Sequence, residues 1–325
     1  DYAHRLSLAV ESEFRGYEAV SDIRWPAITT ADLAGDGIWQ PVMAFRDKEN
    51  RIAVASSRDP RPYNLNYWYA DGNRHRQGPN LGWIDVAAAN LDRSKDGDEE
   101  VVVAYRDDYG YLHAVVLDAD IMDSPNATTA WYKDHTNGRN DVYNVSVATG
   151  DLDGDGYDNE IVVSFIDANT LWKYGRLQTM ILRLVSSDKP LKLVWWRAWT
   201  DHGREIGQYT DPSYNDICNS ADICDRYLDV STGDVDRDYR DEITLAFRDT
   251  EGYLQFLVLD YQGTYKDRDG HTQYLVDDSV WYQEDPNKHI TDDHAKGAWP
   301  RYVTVSAGDV DGDGTDEIAV GYTVD

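Results

Sequence analysis

Two cysteines in 325 residues, Cys218 and Cys224, are too few to staple a fold of this size. That excludes a disulfide framework, so the fold must rest on a buried apolar core. The two lie close together in one connector, and a small disulfide-closed loop is expected there. No apolar run is long enough to span a membrane, and the N-terminus carries no signal-peptide pattern. Basic residues are scarce: 31 Lys and Arg face 60 Asp and Glu, for a formal net charge of −29. A field of that sign argues against nucleic acid and against an anionic membrane as partners. Phenylalanine is rare, with 5 copies, yet there are 23 Tyr and 11 Trp. The large side chains are therefore mostly aromatics with a polar edge.

What the chain has in plenty is carboxylates, and they are patterned. Asp151-Leu152-Asp153-Gly154-Asp155-Gly156 and Asp309-Val310-Asp311-Gly312-Asp313-Gly314 are the cleanest copies of one motif. A third reads Asp234-Val235-Asp236-Arg237-Asp238. A fourth, Asn90-Leu91-Asp92 followed by Asp96-Gly97-Asp98, carries a two-residue insertion. A fifth, Asp32-Leu33-Ala34-Gly35-Asp36-Gly37, lacks the middle carboxylate. Alternating carboxylates in a tight turn gather hard oxygen ligands around one point, which is what Ca²⁺ takes.

The first positions of these loops recur every 60 to 80 residues or so, a period typical of propeller blades and arrays. Residues upstream align without gaps. Ile28, Val86, Val147, Val230 and Val305 stand four positions before the acid, and Pro26, Ile84, Val145, Leu228 and Val303 stand six before it. Apolar residues two apart read as a strand. Ala31, Ala89, Gly150, Gly233 and Gly308 immediately precede the loop, which suggests crowding there. A second strand follows each loop, as in Val101–Tyr105 and Ile161–Phe165. A third and an aromatic-rich fourth follow in each complete unit. Four strands per unit make a propeller blade. The expected fold is all-β, a five-bladed propeller in one domain. Its blades fall roughly at 25–82, 83–142, 143–226, 227–300, and 301–325 together with 1–24. The N-terminal segment completes the last blade, because His4–Val10 resembles Asn50–Ala55 and the fifth unit stops after two strands.

The two clean motifs, each opened by Gly150 or Gly308 and leading into an apolar strand, resemble FG-GAP/VCBS repeats. These are the calcium-loop blades of integrin α propellers and of secreted fungal and bacterial lectins. The resemblance covers all five units. It implies a propeller with Ca²⁺ in the loops joining the first two strands of a blade. It implies no single function, since such repeats serve adhesion, sugar binding and catalysis. The chain departs from the family in having five units where seven are usual.

Three to four structural Ca²⁺ ions are expected. The fifth loop offers Asp309, Asp311, Asp313, the carbonyl of Thr315, and Glu317. The fourth offers Asp234, Asp236, Asp238, the carbonyl of Arg240, and Glu242, with Tyr239 where a glycine would ease the turn. The third offers Asp151, Asp153, Asp155, the carbonyl of Tyr157, and then Asn159 or Glu160. The second offers Asn90, Asp92, Asp96, the carbonyl of Asp98, and Glu100. Calcium loops of modest affinity suit an extracellular setting, so the protein is expected to be secreted. Asn126-Ala127-Thr128 matches the N-glycosylation pattern in a loop. Asn144-Val145-Ser146 matches it on an inner strand, where a glycan is not expected.

The connectors between blades gather at the end of the sheets away from these loops. They hold five of the eight His residues. Arg24, Trp25, Trp83, Tyr227, Arg301 and Tyr302 begin the inner strands, and His75, His135 and His202 lie in the connectors. A ring of Arg and aromatics suits a sugar. The leading expectation is a glycan-binding module with no nucleic-acid partner and no membrane insertion. Alternatives are a polysaccharide lyase, with Arg74/His75, His135/Arg139 and His202/Arg204 as base-and-cation pairs, a glycosidase, which would need two carboxylates, and an adhesion protein binding an extracellular protein partner.

Overall fold

The computed structural model describes residues 24–46, 52–57, 65–69, 83–91, 97–107, 111–117, 128–133, 142–167, 176–184, 191–198, 228–248, 254–266, 272–283 and 302–322. These form strands β1 (Arg24–Ala31), β2 (Gln40–Arg46), β3 (Ile52–Ser57), β4 (Leu65–Tyr69), β5 (Ile84–Ala89), β6 (Glu100–Arg106), β7 (Leu112–Leu117), β8 (Thr128–Lys133) and β9 (Val142–Gly150). Then come β10 (Glu160–Asp167), β11 (Arg176–Arg183), β12 (Lys192–Ala198), β13 (Leu228–Gly233), β14 (Glu242–Arg248), β15 (Leu254–Lys266), β16 (Thr272–Gln283), β17 (Val303–Gly308) and β18 (Glu317–Tyr322). They build four four-stranded antiparallel sheets, each a meander of consecutive strands, and a two-stranded sheet of β17 and β18.

The sheets stack face to face in sequence order, as blades do. The alternation of strand side chains gives each sheet two faces, and successive sheets cover one another's apolar faces. Val42, Val54 and Ile52 of the first sheet share a core with Val86, Val101 and Val103 of the second. Val102 and Val116 of the second pack with Val145, Ile161 and Val163 of the third. Val162 and Ile181 of the third meet Val230, Leu245 and Leu257 of the fourth. Ala246 and Leu254 of the fourth meet Val303 and Val305. The first strands lie together along the inside: β1 on β5, β5 on β9, β9 on β13, β13 on β17.

Polar side chains stitch these inner strands. Ser146 Oγ lies 2.9 Å from Asp85 Oδ2 and 2.7 Å from Asp229 Oδ1, all three being buried. Asp229 Oδ2 in turn accepts from Thr304 Oγ1 at 2.8 Å and from the Val305 N–H at 2.9 Å. Thr232 Oγ1 donates to the Thr149 carbonyl at 2.6 Å.

Among the described residues the arc has two open ends. Val305 is 6 % exposed under the fourth sheet, whereas its counterpart Ile28 is 56 % exposed. Leu33, Leu91 and Leu152 are buried beneath the following sheet, whereas their counterpart Val310 is 80 % exposed. The expected completion by residues 1–24 falls almost wholly outside the described residues; only Arg24 is among them, as the first residue of β1. Asn144 is 4 % exposed, so the second glycosylation pattern offers no accessible amide in the folded chain.

Candidate metal loops and the opposite face

Five loops join first to second strands: loop 1 at 32–39, loop 2 at 90–99, loop 3 at 151–159, loop 4 at 234–241 and loop 5 at 309–316. Register puts each between equivalent strand positions: Ala31 with Gln40, Ala89 with Glu100, Gly150 with Glu160, Gly233 with Glu242, Gly308 with Glu317. Glu160, rather than Asn159, therefore takes the closing position of loop 3. Asn159 is the extra residue, and its N–H turns back onto the Tyr157 carbonyl at 2.8 Å.

One hydrogen-bond frame recurs in four of the loops. The first carboxylate accepts backbone N–H groups four and five residues on. Asp32 takes Asp36 at 3.1 Å and Gly37 at 2.6 Å. Asp151 takes Asp155 at 2.9 Å and Gly156 at 2.7 Å. Asp234 takes Asp238 and Tyr239 at 3.1 and 3.0 Å, and Asp309 takes Asp313 and Gly314 at 3.0 and 2.9 Å. The closing Glu then reaches back to the second loop residue. Glu100 accepts Leu91 N–H at 2.7 Å, Glu160 Leu152 at 3.3 Å, Glu242 Val235 at 2.8 Å and Glu317 Val310 at 2.8 Å. Loop 1 has Gln40 in that place and Ala34 in the middle, so it keeps the frame without the carboxylate set.

The frame gathers oxygens. Ligand atoms of Asp151, Asp153 and Asp155 lie within 4.8 Å of one another, as do those of Asp234, Asp236 and Glu242, and those of Asp309, Asp311 and Glu317. Asp153 Oδ1, Asn159 Oδ1, Glu242 Oε1 and Asp260 Oδ1 are buried without a hydrogen-bond partner. All are hard acceptors, a donor set that fits a Ca²⁺ ion and suits neither a thiophilic metal nor an anion. Burial, reinforced by Asp153, pushes the Glu160 carboxyl up to about 8. Burial and then Asp236, Asp260 and Asp238 push Glu242 to about 8 as well. Loop 2 contributes Asn90, Asp98 and Glu100 here; Asp92 and Asp96 lie outside the described residues.

The turn geometry explains the sequence of each loop. Gly154 and Gly156, like Gly312 and Gly314, sit at φ between 71° and 85°, where a Cβ is disfavoured. Loop 4 puts Arg237 and Tyr239 there at φ 67° and 66°. Arg237 uses the position to pair with Asp313 and Thr315 of loop 5, donating also to the Asp313 carbonyl at 2.7 Å.

Successive loops are clamped. Glu99, the residue before the closing Glu of loop 2, accepts the Asp32 N–H at 2.9 Å and donates its own to the Asp32 carbonyl at 2.9 Å. Asp241 does the same to Asp151, and Asp316 to Asp234. The sequence shows these acids but gives no reason to separate them from metal ligands. Arg183 and Asp260, which face the third and fourth loops from third strands, were equally unforeseen.

At the opposite end of the sheets, Trp83 is 8 % exposed and packs in the core between the second and third sheets. Tyr302 is 42 % exposed. Arg24 and Trp25 begin β1. His75, His135, His202, Tyr227 and Arg301 lie outside the described residues, as do Cys218 and Cys224, so these are not brought together here. A histidine that the sequence reading passed over does appear: His113 Nε2 lies 2.8 Å from Asp107 Oδ2, and its ring stacks on Tyr105 at 5.1 Å. In the third sheet Gln178 occupies the same register and donates to Asp167 at 2.7 Å. An amide cannot move protons as an imidazole does, so the shared role is closing the hairpin. The signal was present as an aromatic-x-Asp repeat: Phe45-Arg46-Asp47, Tyr105-Arg106-Asp107, Phe165-Ile166-Asp167 and Phe247-Arg248-Asp249.

No family model matches the chain. No curated protein matches it either. Among solved structures it is similar to a mutant of Aleuria aurantia lectin in complex with α-methyl-L-fucoside, with a TM-score of 0.46 and 10 % identity over 92 % of this chain and 70 % of that one. It is also similar to AofleA from Arthrobotrys oligospora (0.40, 11 %, 93 % and 82 %). A third is the α-L-arabinofuranosidase Arb93A from Fusarium graminearum (0.40, 10 %, 92 % and 74 %). All three TM-scores lie below 0.5.

Proposed function

We propose that this chain is a secreted, calcium-stabilised binding module: a five-bladed propeller whose ions are structural and whose glycan ligand sits on the connector face. The observation that carries the reading is the loop frame, with its gathered carboxylates and partnerless buried oxygens. It places the acidic loops at one end of every sheet, where each pins two strands and clamps the next blade. An ion there replaces repulsion among three or four carboxylates with attraction. Loops so occupied with holding the blades leave the other end of the sheets for ligand. The Arg, His and aromatic residues of the connectors supply the chemistry a sugar needs, with C–H faces on rings and hydroxyls on charged groups. Completion of the last blade by residues 1–24 and the Cys218–Cys224 disulfide belong to the same reading.

The test is binding of the calcium-saturated chain to a panel of neutral and acidic glycans, with product analysis. Retention of intact glycan, weakened by His75→Ala, His135→Ala or His202→Ala with unchanged melting, is the expected result. Release of shortened chains would make it an enzyme instead. Ligand that competes with Ca²⁺ would place the site on the wrong face.

A further inference from the structure

The acidic loops are not alike in what balances their charge. The difference lies at one register position, the residue of the third strand across from the closing Glu. In the third sheet Glu160 pairs with Arg183. Arg183 Nη1 lies 3.1 Å from Asp153 Oδ2, Nη2 2.9 Å from Asp155 Oδ2, and Nε 3.3 Å from Glu160 Oε1. The Tyr274 hydroxyl adds contacts of 2.9 Å to Asp153 and 2.8 Å to Glu160. Both oxygens of Glu160 are thereby engaged by protein donors. Loop 3 contains a cation of its own.

In the fourth sheet Ile243 pairs with Leu259, so the next step sets Glu242 across from Asp260 on the same face. Here a carboxylate stands where loop 3 has its guanidinium. Glu242 is 2 % exposed; its Oε2 takes the Val235 N–H, and its Oε1 is buried with no partner. Asp260 Oδ2 takes the Gln262 amide at 2.6 Å, and its Oδ1 is likewise buried with no partner. Of this loop's two arginines, Arg237 reaches away to Asp313 of loop 5, and Arg240 touches the outer Asp238 oxygen at 3.5 Å and lies over the Tyr261 ring. Two buried carboxylate oxygens without a donor, on residues set across from each other, are costly unless a cation balances them.

We propose that loop 4 is a calcium site with an added carboxylate ligand, Asp260 of β15, and that Arg183 makes loop 3 self-neutralised. Calcium then binds loop 4 far more tightly than loop 3. Site affinity for Ca²⁺ rises with ligand charge and rigidity. Loop 4 offers Asp234, Asp236, Asp238, Glu242 and Asp260, whereas three carboxylates of loop 3, Asp153, Asp155 and Glu160, already share a guanidinium. The inference rests on the reading that the acidic loops take calcium. It reverses the order that the motifs alone suggest, in which intact loop 3 outranks glycine-poor loop 4.

The test is calcium titration of the full-length chain by calorimetry and chelator competition. Asp260→Asn, which keeps shape and removes charge, is expected to weaken the tightest site about tenfold or more and leave the others unchanged. Arg183→Met is expected to strengthen a weak site. The Asp260→Asn result decides the proposal alone if Arg183→Met does not fold. A wild-type chain that takes calcium, with the tightest site unmoved by Asp260→Asn, overturns the assignment of Asp260 but leaves calcium in the loops. That outcome would mean a proton shared between Glu242 and Asp260. A wild-type chain that takes no calcium overturns both.

Discussion

Gly150→Ala puts a methyl group where a neighbouring blade already stands. A Cβ built on Gly150 lies 2.4 Å from Asp241 Oδ2 and 2.9 Å from Thr232 Cβ. Asp241 cannot retreat without giving up its bond to the Asp151 N–H, and Thr232 is anchored to the Thr149 carbonyl. The lost clamp bond costs roughly 1 kcal/mol, and overpacking between the strands adds about 1–3 kcal/mol. A destabilisation of about 2–4 kcal/mol corresponds to a melting temperature lower by about 3–6 °C in a chain of this size. The control is Gly308→Ala at the equivalent position of the last unit, where a Cβ meets nothing within 4 Å. That substitution should be neutral, or stabilising by about 0.5 kcal/mol through the unfolded chain. Calorimetric melting of both variants in calcium is the assay. Equal losses in the two would refute the clamp and show that Gly308 is covered as tightly as Gly150.

Asp32→Ala should cost about 1–3 kcal/mol with calcium or with chelator, because Asp32 holds its loop through backbone N–H groups alone. Asp311→Ala should cost stability in calcium and little in chelator; paired urea titrations separate the two. Tyr239→Gly should raise the melting temperature slightly, since it relieves an exposed side chain at φ 66° worth about 1 kcal/mol. In chelator, stability should fall as pH rises. Glu160 and Glu242 are raised from 4.5 to about 8, and Asp241 from 3.8 to about 6. A raised folded pKa stabilises fully below the unfolded value and is lost on the way up to the folded one. Urea midpoints at pH 5 and pH 8 should therefore differ in chelator, and calcium should shrink the difference to the part that Asp241 contributes. Deleting residues 1–20 should promote aggregation, measured by light scattering; an equally stable, soluble product would refute completion of the last blade by that segment.

The strands and loops were legible because their signals are local. Apolar residues two apart, a small residue before the acid, and a Glu at the start of the second strand fix each hairpin within a dozen or so residues. What balances each loop was not legible. Arg183 and Asp260 stand a full strand beyond the motifs they face, and only register brings them there. Glu99, Asp241 and Asp316 carry no local signal of their role, because their partners belong to the preceding blade. Tyr239 was readable as a turn lacking its glycine, but not the reach of Arg237 to the next loop. Trp83 could be read equally as a sugar platform or a core wedge, and burial alone separates those. The His and Arg of the connectors lie outside the described residues, so the ligand face rests on composition and topology.

The clamp also explains a variation in the repeat that looks like drift. The residue before loops 1, 3 and 4 is small because the next blade's acid reaches over it, and acid length sets how small. Glu99 reaches Asp32 across Ala31, whereas the shorter Asp241 and Asp316 reach across Gly150 and Gly233, where a Cβ would meet the carboxylate at 2.4 and 2.5 Å. A shorter side chain must bring its own strand closer, and only glycine gives that room. The first unit breaks the rule. Its clamp position is Trp39, 61 % exposed, beside Ile38 at 56 %. An indole cannot accept backbone N–H groups as a carboxylate does. If the fifth and first units meet, their junction is expected to be apolar, with the exposed Trp39, Ile38 and Ile28 on one side and the exposed Val310 on the other. Three junctions between units carry the acid clamp, and one made through Trp39 would rest on burial instead.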